Sequence, residues 1–229
     1  MPVQSLLKRP LRQLRRTGLR VGASAVAKRA LSSWMEWGTL LFFSRDLATV
    51  VEQPAIPGIS VRVVRGPELP FVARALGRPS AAFLDRFDRG GRCFGAFDGL
   101  RPVHCCWVGT GPEEIPEVGL WLCPKPGEAF AYEAVTAGNW RGVGVARTTW
   151  GAIERTLREE GHRRLFGFVQ GDQHSQQRQL PPEVTPLTTL RYLRLPGEEA
   201  YRSGCFGSPL FSSREQGEAE TREAARSRA

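Results

Sequence analysis

The chain contains no C-x-x-C pair and only three histidines, so the usual ligand spacings of a zinc site are missing. Its five cysteines are odd in number and follow no framework pattern, which argues against a disulfide scaffold. They are Cys93, Cys105, Cys106, Cys123 and Cys205. Two of them are adjacent in an apolar, strand-like run, where free cysteine packs as a small hydrophobic residue. We therefore expect reduced thiols, no metal and a cytoplasmic protein.

No apolar stretch approaches the roughly 20 residues that cross a bilayer as a helix. The most apolar segment, WGTLLFF at residues 37–43, is soon interrupted by Arg45 and Asp46. The basic start of the chain is not followed by the clean apolar region of a signal peptide. The sequence thus predicts neither a secretory leader nor a membrane span.

Acidic residues are absent from residues 1–30, which carry eight of the 32 lysines and arginines. The other 24 basic residues nearly balance 23 acidic ones, so the net charge of +9 is concentrated in this basic N-terminal arm. Leu7, Leu11 and Leu14 would line one face of a helix, although Pro10 interrupts it. Two interpretations stay open: a disordered tail, or an arm that binds an anionic membrane surface or an acidic partner. Nucleic acid is disfavoured, because the arm has no aromatic side chains to stack on bases.

The rest of the chain divides by composition into three parts. Residues 31–57 begin apolar and favour helix, so we expect a helical extension packed on the domain that follows. Residues 58–203 alternate strand and helix signals and are predicted as one domain. Residues 204–229 are rich in Ser, Gly, Glu and Arg with few apolar residues, which is typical of a disordered tail.

The first half of the domain predicts a strand, two helices and an antiparallel meander. Ser80 is a candidate N-cap for the second helix, and Asp98-Gly99 favours a tight hairpin turn within the meander. The period of two marks the strands, and the i, i+3, i+4 spacing marks the helices. The predicted strands lie at 59–64, 92–97, 102–108 and 129–136, and the predicted helices at 68–76 and 80–87.

The second half predicts a glycine loop, a helix and two strands. The helix runs from the loop at 141–146 through Glu160, with Ile153 and Leu157 on its apolar face and Gly161 as its stop. The strand-like runs that follow lie at 164–169 and 188–195. A helix that connects two strands of one sheet makes a parallel crossover, so the predicted fold class is α/β.

The segment NWRGVGVA at 139–146 places two glycines between the end of a strand and the start of a helix. Free backbone N–H groups and the helix dipole bind anions at such a point, and glycine lets the backbone approach a phosphate closely. Arg141 adds positive charge. The segment is not a P-loop, because the Lys-Ser/Thr pair is missing, and it lacks the third glycine of the dinucleotide fingerprint.

Residues 141–146 (RGVGVA) fit, position by position, the Q/R-x-x-G-x-G/A signature of the GNAT acetyltransferases, and the order of elements over 58–196 also resembles that family. The resemblance implies a GNAT fold: a mixed central sheet, splayed between its fourth and fifth strands and flanked by helices. It implies an N-acyltransferase that moves an acetyl or other short acyl group from acyl-CoA to an amine. The acceptor stays open: a small molecule, a sugar or a protein.

The same resemblance places the family's site residues on this sequence. The strand before the loop would hold the pantetheine arm through Ala134, Val135 and Thr136. The loop would hold the pyrophosphate of acetyl-CoA through Arg141, Gly142, Val143, Gly144, Val145 and Ala146. Downstream, Asp172 and Ser175 have the spacing of two residues that help to place the end of the cofactor. This segment departs from the family, because Asp or Gln replaces an Asn, Pro181-Pro182 shortens the expected helix, and no nearby tyrosine offers a general acid.

Glu133 is the best candidate for a general base, because it lies on the strand that would face the thioester. The alternative for this side chain is a structural salt bridge or a position facing solvent, and Tyr132, expected on the opposite face, is expected to pack. Two other functions stay open for the chain: a GNAT-shaped binding or regulatory module without catalysis, and a membrane-surface protein acting through residues 1–30. The aminoacyl-transferring relatives of similar fold usually carry two such domains, and this chain has room for one.

Overall fold

The computed structural model of the chain describes residues 36–50, 55–115, 117–171, 184–195, 201–203 and 211–212. The predicted basic arm at 1–30 and the predicted cofactor residues Asp172 and Ser175 lie outside these ranges. The described ranges hold every strand and helix that the sequence predicts between residues 59 and 195.

Among the described residues, three α-helices are set among the strands, two of them before residue 92 and one between residues 136 and 164. The strands are β1 (Glu36–Asp46), β2 (Ile59–Val63), β3 (Arg92–Asp98), β4 (Arg101–Gly109), β5 (Glu113–Ile115), β6 (Leu120–Leu122), β7 (Glu128–Thr136), β8 (Arg164–Gln170), β9 (Thr185–Arg194), β10 (Tyr201–Ser203) and β11 (Phe211–Ser212). The α-helices are α1 (Leu69–Ala75), α2 (Ser80–Asp88) and α3 (Val145–Glu159), and short 3-10 turns lie at Leu47–Thr49, Gly66–Glu68 and Gly138–Trp140.

Eight of the described strands form one mixed sheet in the order β10-β9-β1-β8-β7-β4-β3-β2. Neighbouring strands are antiparallel except β7 and β8, which are parallel and joined by the crossover helix α3. Pairing of β7 with β8 is confined to residues 128–131 and 164–167, although the strands continue to Thr136 and Gln170. The two strands therefore separate at their carboxyl ends. They are the fourth and fifth strands of the sequence-based prediction, so the predicted splayed sheet is confirmed.

Strand β1 corrects the prediction of a helical extension at 31–57. It lies inside the sheet, antiparallel to β8 on one edge and to β9 on the other, with Leu40 opposite both Gln170 and Leu190. A short apolar run carries no period that separates a buried strand from a buried helix. Here the run is covered on both faces, because the adjacent residues Phe42 and Phe43, which point to opposite faces, are both buried. The sheet-forming domain therefore begins before residue 58.

Apolar side chains cover both faces of the sheet. On one face α1 and α2 pack over a core in which Phe83 meets Trp107 edge-on, with 5.3 Å between ring centroids. On the other face α3 covers a second cluster that contains Phe94, Ile153 and Leu157. The apolar helix face predicted from Ile153 and Leu157 is thus confirmed. Burial of these side chains is the main favourable term that holds the helices to the sheet.

The turn between β3 and β4 is the hairpin that the sequence predicts. Asp98 pairs with Arg101, and Gly99 has a φ of +57°, a left-handed conformation that glycine adopts without steric strain. The prediction for Ser80 is wrong in one respect. The helix α2 begins at Ser80 itself and Pro79 takes the cap position, while the Ser80 hydroxyl donates to the carbonyl oxygen of Pro70.

The connection between β4 and β7 holds a small second sheet that the sequence does not predict. β5 and β6 form a hairpin, and β11 pairs with the other edge of β6. Strands of two or three residues are too short to show a hydrophobic period. At Phe211 and Ser212, the prediction of a disordered tail over 204–229 is therefore wrong, and the rest of that tail lies outside the described residues.

A buried ion pair fastens β1 to α3. The Nε atom of Arg45 lies 2.9 Å from Oε1 of Glu154, and neither side chain is more than 1% exposed. The same glutamate oxygen accepts a hydrogen bond from Nε1 of Trp150 at 2.8 Å. Removing one partner of such a pair leaves the other charge in surroundings that solvate it poorly.

We expect Glu154→Gln to lower the free energy of unfolding by about 3–5 kcal/mol, because Arg45 would keep its charge without a counter-charge. Urea unfolding followed by circular dichroism measures this change. The partly exposed ion pair of Arg92 with Glu160 gives the control, since Glu160→Gln should cost at most about 1 kcal/mol. Equal losses in the two variants would contradict the role given to the buried pair.

Candidate functional site

The loop between β7 and α3 has the backbone conformation that its two glycines permit. Gly142 and Gly144 have φ values of +81° and +93°, a region that other residues enter at a cost of roughly 1–2 kcal/mol. Gly144 occupies the cap position of α3, which begins at Val145. No side chain caps this end of the helix, and the N–H groups of a first helical turn have no intrahelical acceptor. The loop therefore presents hydrogen-bond donors at the positive end of the helix dipole.

A cavity of about 360 Å³ opens over this loop. It is lined by Thr136, Trp140 and Arg147 together with all six of the predicted pyrophosphate residues at 141–146. Arg141 and Arg147 bring positive charge to the lining, and no Asp or Glu of the described ranges contributes to it. The donors, the charge and the open space together fit a pyrophosphate group.

Val143 and Val145 contribute to this cavity in different ways. The Val145 side chain is 1% exposed and packs in the core with Ala96 and Val103. The side chain of Val145 anchors the start of α3 on the sheet, and Val145 also lines the cavity. Val143, between the two glycines, is 53% exposed. Its side chain can therefore be changed without disturbing the core.

The predicted pantetheine residues belong to the part of β7 that has left β8. Ala134 is exposed, Val135 is buried and Thr136 is half-buried. The next residue, Ala137, donates its N–H to the carbonyl oxygen of Val103 at 2.9 Å. Because successive residues of a strand direct their amides to alternate edges, Ala134 and Thr136 face the other edge, which β8 no longer pairs. This free edge can hydrogen-bond an extended chain.

The hydroxyl of Thr136 is hydrogen-bonded to a buried histidine. The Nδ1 atom of His104 lies 2.7 Å from the Thr136 hydroxyl oxygen, and His104 is fully covered by protein. Burial lowers the pKa of His104 to about 4, so its ring is neutral at pH 7. The histidine therefore orients Thr136 without adding charge to the site.

A bulge in β7 sets the direction of Glu133. The register passes from Cys105 opposite Val135 to Trp107 opposite Tyr132, so β7 holds one residue more than β4 over this interval. Glu133 has a φ of +45°, a left-handed conformation that is strained for a residue with a side chain. The extra residue breaks the strand period of two at the point where β7 leaves β8.

Glu133 and Tyr132 consequently face the same helix. Glu133 forms an ion pair with Arg86 of α2, and Tyr132 packs in the same core as Phe83 of α2, stacked on Phe130. The prediction that Tyr132 lies on the opposite face is wrong, because the bulge interrupts the alternation, whereas the prediction that it packs is confirmed. A salt bridge, the alternative considered for Glu133, is present.

Two carboxylates that the sequence does not single out lie near Glu133. Glu113 of β5 pairs with Arg89 at 3.1 Å between Oε1 and Nη1. Glu117 follows β5, and its Oε2 atom is buried without a hydrogen-bond partner among the described residues. Burial raises the pKa of both carboxyls, and the negative charges of Glu36 and Glu133 raise that of Glu117 further. Both residues come from the inserted hairpin, where no motif marks them.

The cysteines of the central strands are core residues, as expected. Cys93, Cys105 and Cys106 are free and buried. Burial raises the pKa of the Cys106 thiol, and a hydrogen bond with Cys93 followed by burial raises that of Cys105. Both thiols stay protonated at neutral pH, so neither is a thiolate nucleophile.

Asp172 and Ser175, the residues expected at the end of the cofactor, stay predictions because they lie outside the described ranges. None of the helices within those ranges is long and apolar enough to cross a membrane. The described residues also contain no group of three or more His, Cys, Asp or Glu side chains that could hold a metal ion.

We expect His104 to contribute a pH-dependent stability of about 3 kcal/mol that is lost as the pH falls from 6.5 to 4. In this window the unfolded chain protonates the imidazole while the native protein does not, because its pKa is about 4 in the fold. The contribution is complete above pH 6.5. His104→Asn does not titrate, so the stability difference between wild type and variant should shrink between pH 7 and pH 5. Urea unfolding at both pH values measures it, and a constant difference would count against the buried neutral ring.

Comparisons with known proteins bear on the fold through solved structures alone. No family model and no curated protein sequence matches the chain. Solved structures that match include GCN5-related N-acetyltransferases from Sphaerobacter thermophilus (12% identity, TM-score 0.51, covering 78% of this chain and 56% of that one) and Kribbella flavida (15%, 0.47, 75% and 64%). Another is a GNAT-family acetyltransferase from Colwellia psychrerythraea (12%, 0.48, 70% and 56%). The match spans less than two thirds of the length of each neighbour. Together with the splayed sheet and the glycine loop, the similarity to the Sphaerobacter structure shows that this chain has the fold of the GNAT superfamily.

Proposed function

We propose that the chain is an N-acyltransferase that moves an acetyl or other short acyl group from acyl-CoA to an amine. The observation that carries the proposal is the loop at 141–146, with its uncapped helix start, its two left-handed glycines and its arginine-lined cavity. The loop is continuous with the free edge of β7 at Ala134 and Thr136. CoA joins a pyrophosphate to an extended chain that contains amides, so it suits both features at once.

The residues of the chain would act on this ligand mainly by holding it. The N–H groups of the loop and the Arg141 guanidinium bind the pyrophosphate, and the edge of β7 pairs with the pantetheine amides as it would with an added strand. Bound acyl-CoA supplies the acyl group as an activated thioester. Fixing one reactant beside the other converts a bimolecular step into an effectively unimolecular one, which is a large part of the catalysis that acyl transfer needs.

A base is also required, because an amine attacks only when it is neutral. Glu133 stays our candidate from the sequence, and the bulge places it where β7 leaves β8. Glu117 is a second candidate. Glu133 is engaged by an ion pair with Arg86, whereas Glu117 forms no ion pair with the described residues. A carboxyl whose pKa is raised by burial also accepts a proton more readily near neutral pH.

Val143→Glu should weaken the binding of acetyl-CoA by about tenfold or more, because a carboxylate would stand beside the pyrophosphate. Val143 is chosen over the glycines because its backbone is not left-handed, so the substitution adds no strain. Val143→Gln has the same shape without the charge and should bind almost as wild type does. Isothermal titration calorimetry on the three proteins measures the effect.

The same titration can overturn the proposal. Failure of the wild-type protein to bind acetyl-CoA would rule out the acyltransferase. Binding that is unaffected by Val143→Glu would place the cofactor away from the loop. Binding without release of the CoA thiol across a panel of primary amines would favour the alternative of a GNAT-shaped binding module.

Glu117→Gln and Glu133→Gln separate the two candidate bases, using any amine that releases the CoA thiol in that panel. Loss of the base should lower kcat by about 10²–10⁴-fold and remove the acid limb of the pH–rate profile. Glu114→Gln is the control, because it removes a carboxylate from β5 that is not among the candidates. Full activity in both test variants would show that neither residue takes the proton.

A further inference from the structure

A second cavity adjoins the first on the other side of Arg141. Its volume is about 470 Å³, and it is lined by the end of α1 with the residues after it, by the start of β4, and by the end of β7 with the turn that follows. Thr136 and Arg141 line both cavities. The two spaces are therefore neighbours around a single arginine.

Three guanidinium groups line this second cavity: those of Arg78, Arg101 and Arg141. Among the described residues no Asp or Glu is part of its lining, and Asp98, opposite Arg101 in the β3–β4 register, is not part of it either. Neither Arg78 nor Arg101 forms an ion pair with a carboxylate of the described residues. Within the described part of the chain, no carboxylate compensates the positive charge of Arg78 and Arg101.

Several other arginines of the domain form ion pairs with carboxylates. Ion pairs neutralise Arg62, Arg65, Arg86 and Arg89, whose partners are Glu68, Glu133, Asp85 and Glu113. Like charges that face one space repel each other, and an anion placed between them removes that repulsion. Because three arginines line one cavity, that cavity can receive negative charge from a bound ligand.

We propose that the second cavity binds a phosphate or carboxylate group, held by Arg78 and Arg101 with Arg141 beside them. Guanidinium groups bind these anions through paired, charge-assisted hydrogen bonds. The cavity is larger than a bare anion needs, so the anion is a substituent of a larger ligand. Naming that ligand rests on the proposed function: the group is either the 3′-phosphate of the CoA ribose or an anionic group of the amine acceptor.

The first experiment uses inorganic phosphate and no CoA, so it is independent of the proposed function. Added at constant ionic strength, phosphate should raise the thermal unfolding midpoint of the wild type and of the control Arg74→Gln, whose arginine is exposed on α1 outside the cavity. The double variant Arg78→Gln/Arg101→Gln should show a smaller rise, because two of the three arginines are gone while the loop at 141–146, which can also bind phosphate, is unchanged. A rise in the double variant equal to that of the wild type would overturn the proposal.

The second experiment identifies the source of the anion. Calorimetry with CoA and with 3′-dephospho-CoA should give the wild type an affinity about tenfold higher for CoA if the ribose phosphate occupies the cavity. The double variant would then bind both compounds equally. Equal binding of both compounds by the wild type, with a phosphate response that persists when 3′-dephospho-CoA is saturating, would assign the cavity to an anionic group of the acceptor. A CoA preference that survives in the double variant would count against the site.

Discussion

Backbone hydrogen bonds on both edges of β1 join the two parts of the main sheet. One edge pairs with β8 and so with the strands of the candidate site, while the other pairs with β9 and through it with β10. Without β1, both β8 and β9 would expose an unpaired edge within the described sheet. The buried pair of Arg45 with Glu154 ties the same strand to α3. The helix whose first turn lies at the candidate anion site is therefore anchored, through β1, to both sides of the sheet.

The candidate site exists because strand pairing stops. β7 keeps its partner β4 up to Thr136 but loses β8 after Ala131, and this difference gives the free edge that an extended ligand needs. Charge is distributed unevenly along the same strand. Arginines gather where β7 ends in the glycine loop. Around the bulge, Glu133 is paired with Arg86, and the buried carboxyl of Glu117 forms no ion pair with the described residues. The end of β7 thus suits an anionic donor, and the surroundings of Glu117 suit an amine, which is cationic before it loses its proton.

Local patterns in the sequence predict the parts of this fold that are made locally. The hairpin at Asp98-Gly99, the helix that ends before Gly161 and the loop at 141–146 each follow from residues that are close together in the chain. The sequence-based predictions are wrong where residues distant in the chain determine the local structure. β1 is a strand within the sheet because two strands from far along the chain pair with its edges. The bulge at Glu133 interrupts the side-chain alternation that the sequence-based prediction assumes for the whole strand. Glu117, the second candidate base, comes near Glu133 only because the inserted hairpin folds back toward β7. No short sequence motif predicts this arrangement.

The position of β1 also constrains how the chain folds during synthesis. Leu40 pairs with Gln170 and Leu190, so the strand is made more than 100 residues before either partner. Until those residues emerge, the segment LLFF has two unpaired edges and apolar faces, the condition under which strands associate with other chains. Contacts of such long sequence separation also slow folding. Insertion of β1 between β8 and β9 is therefore a late step. The yield of native protein depends on the time during which β1 stays unpaired.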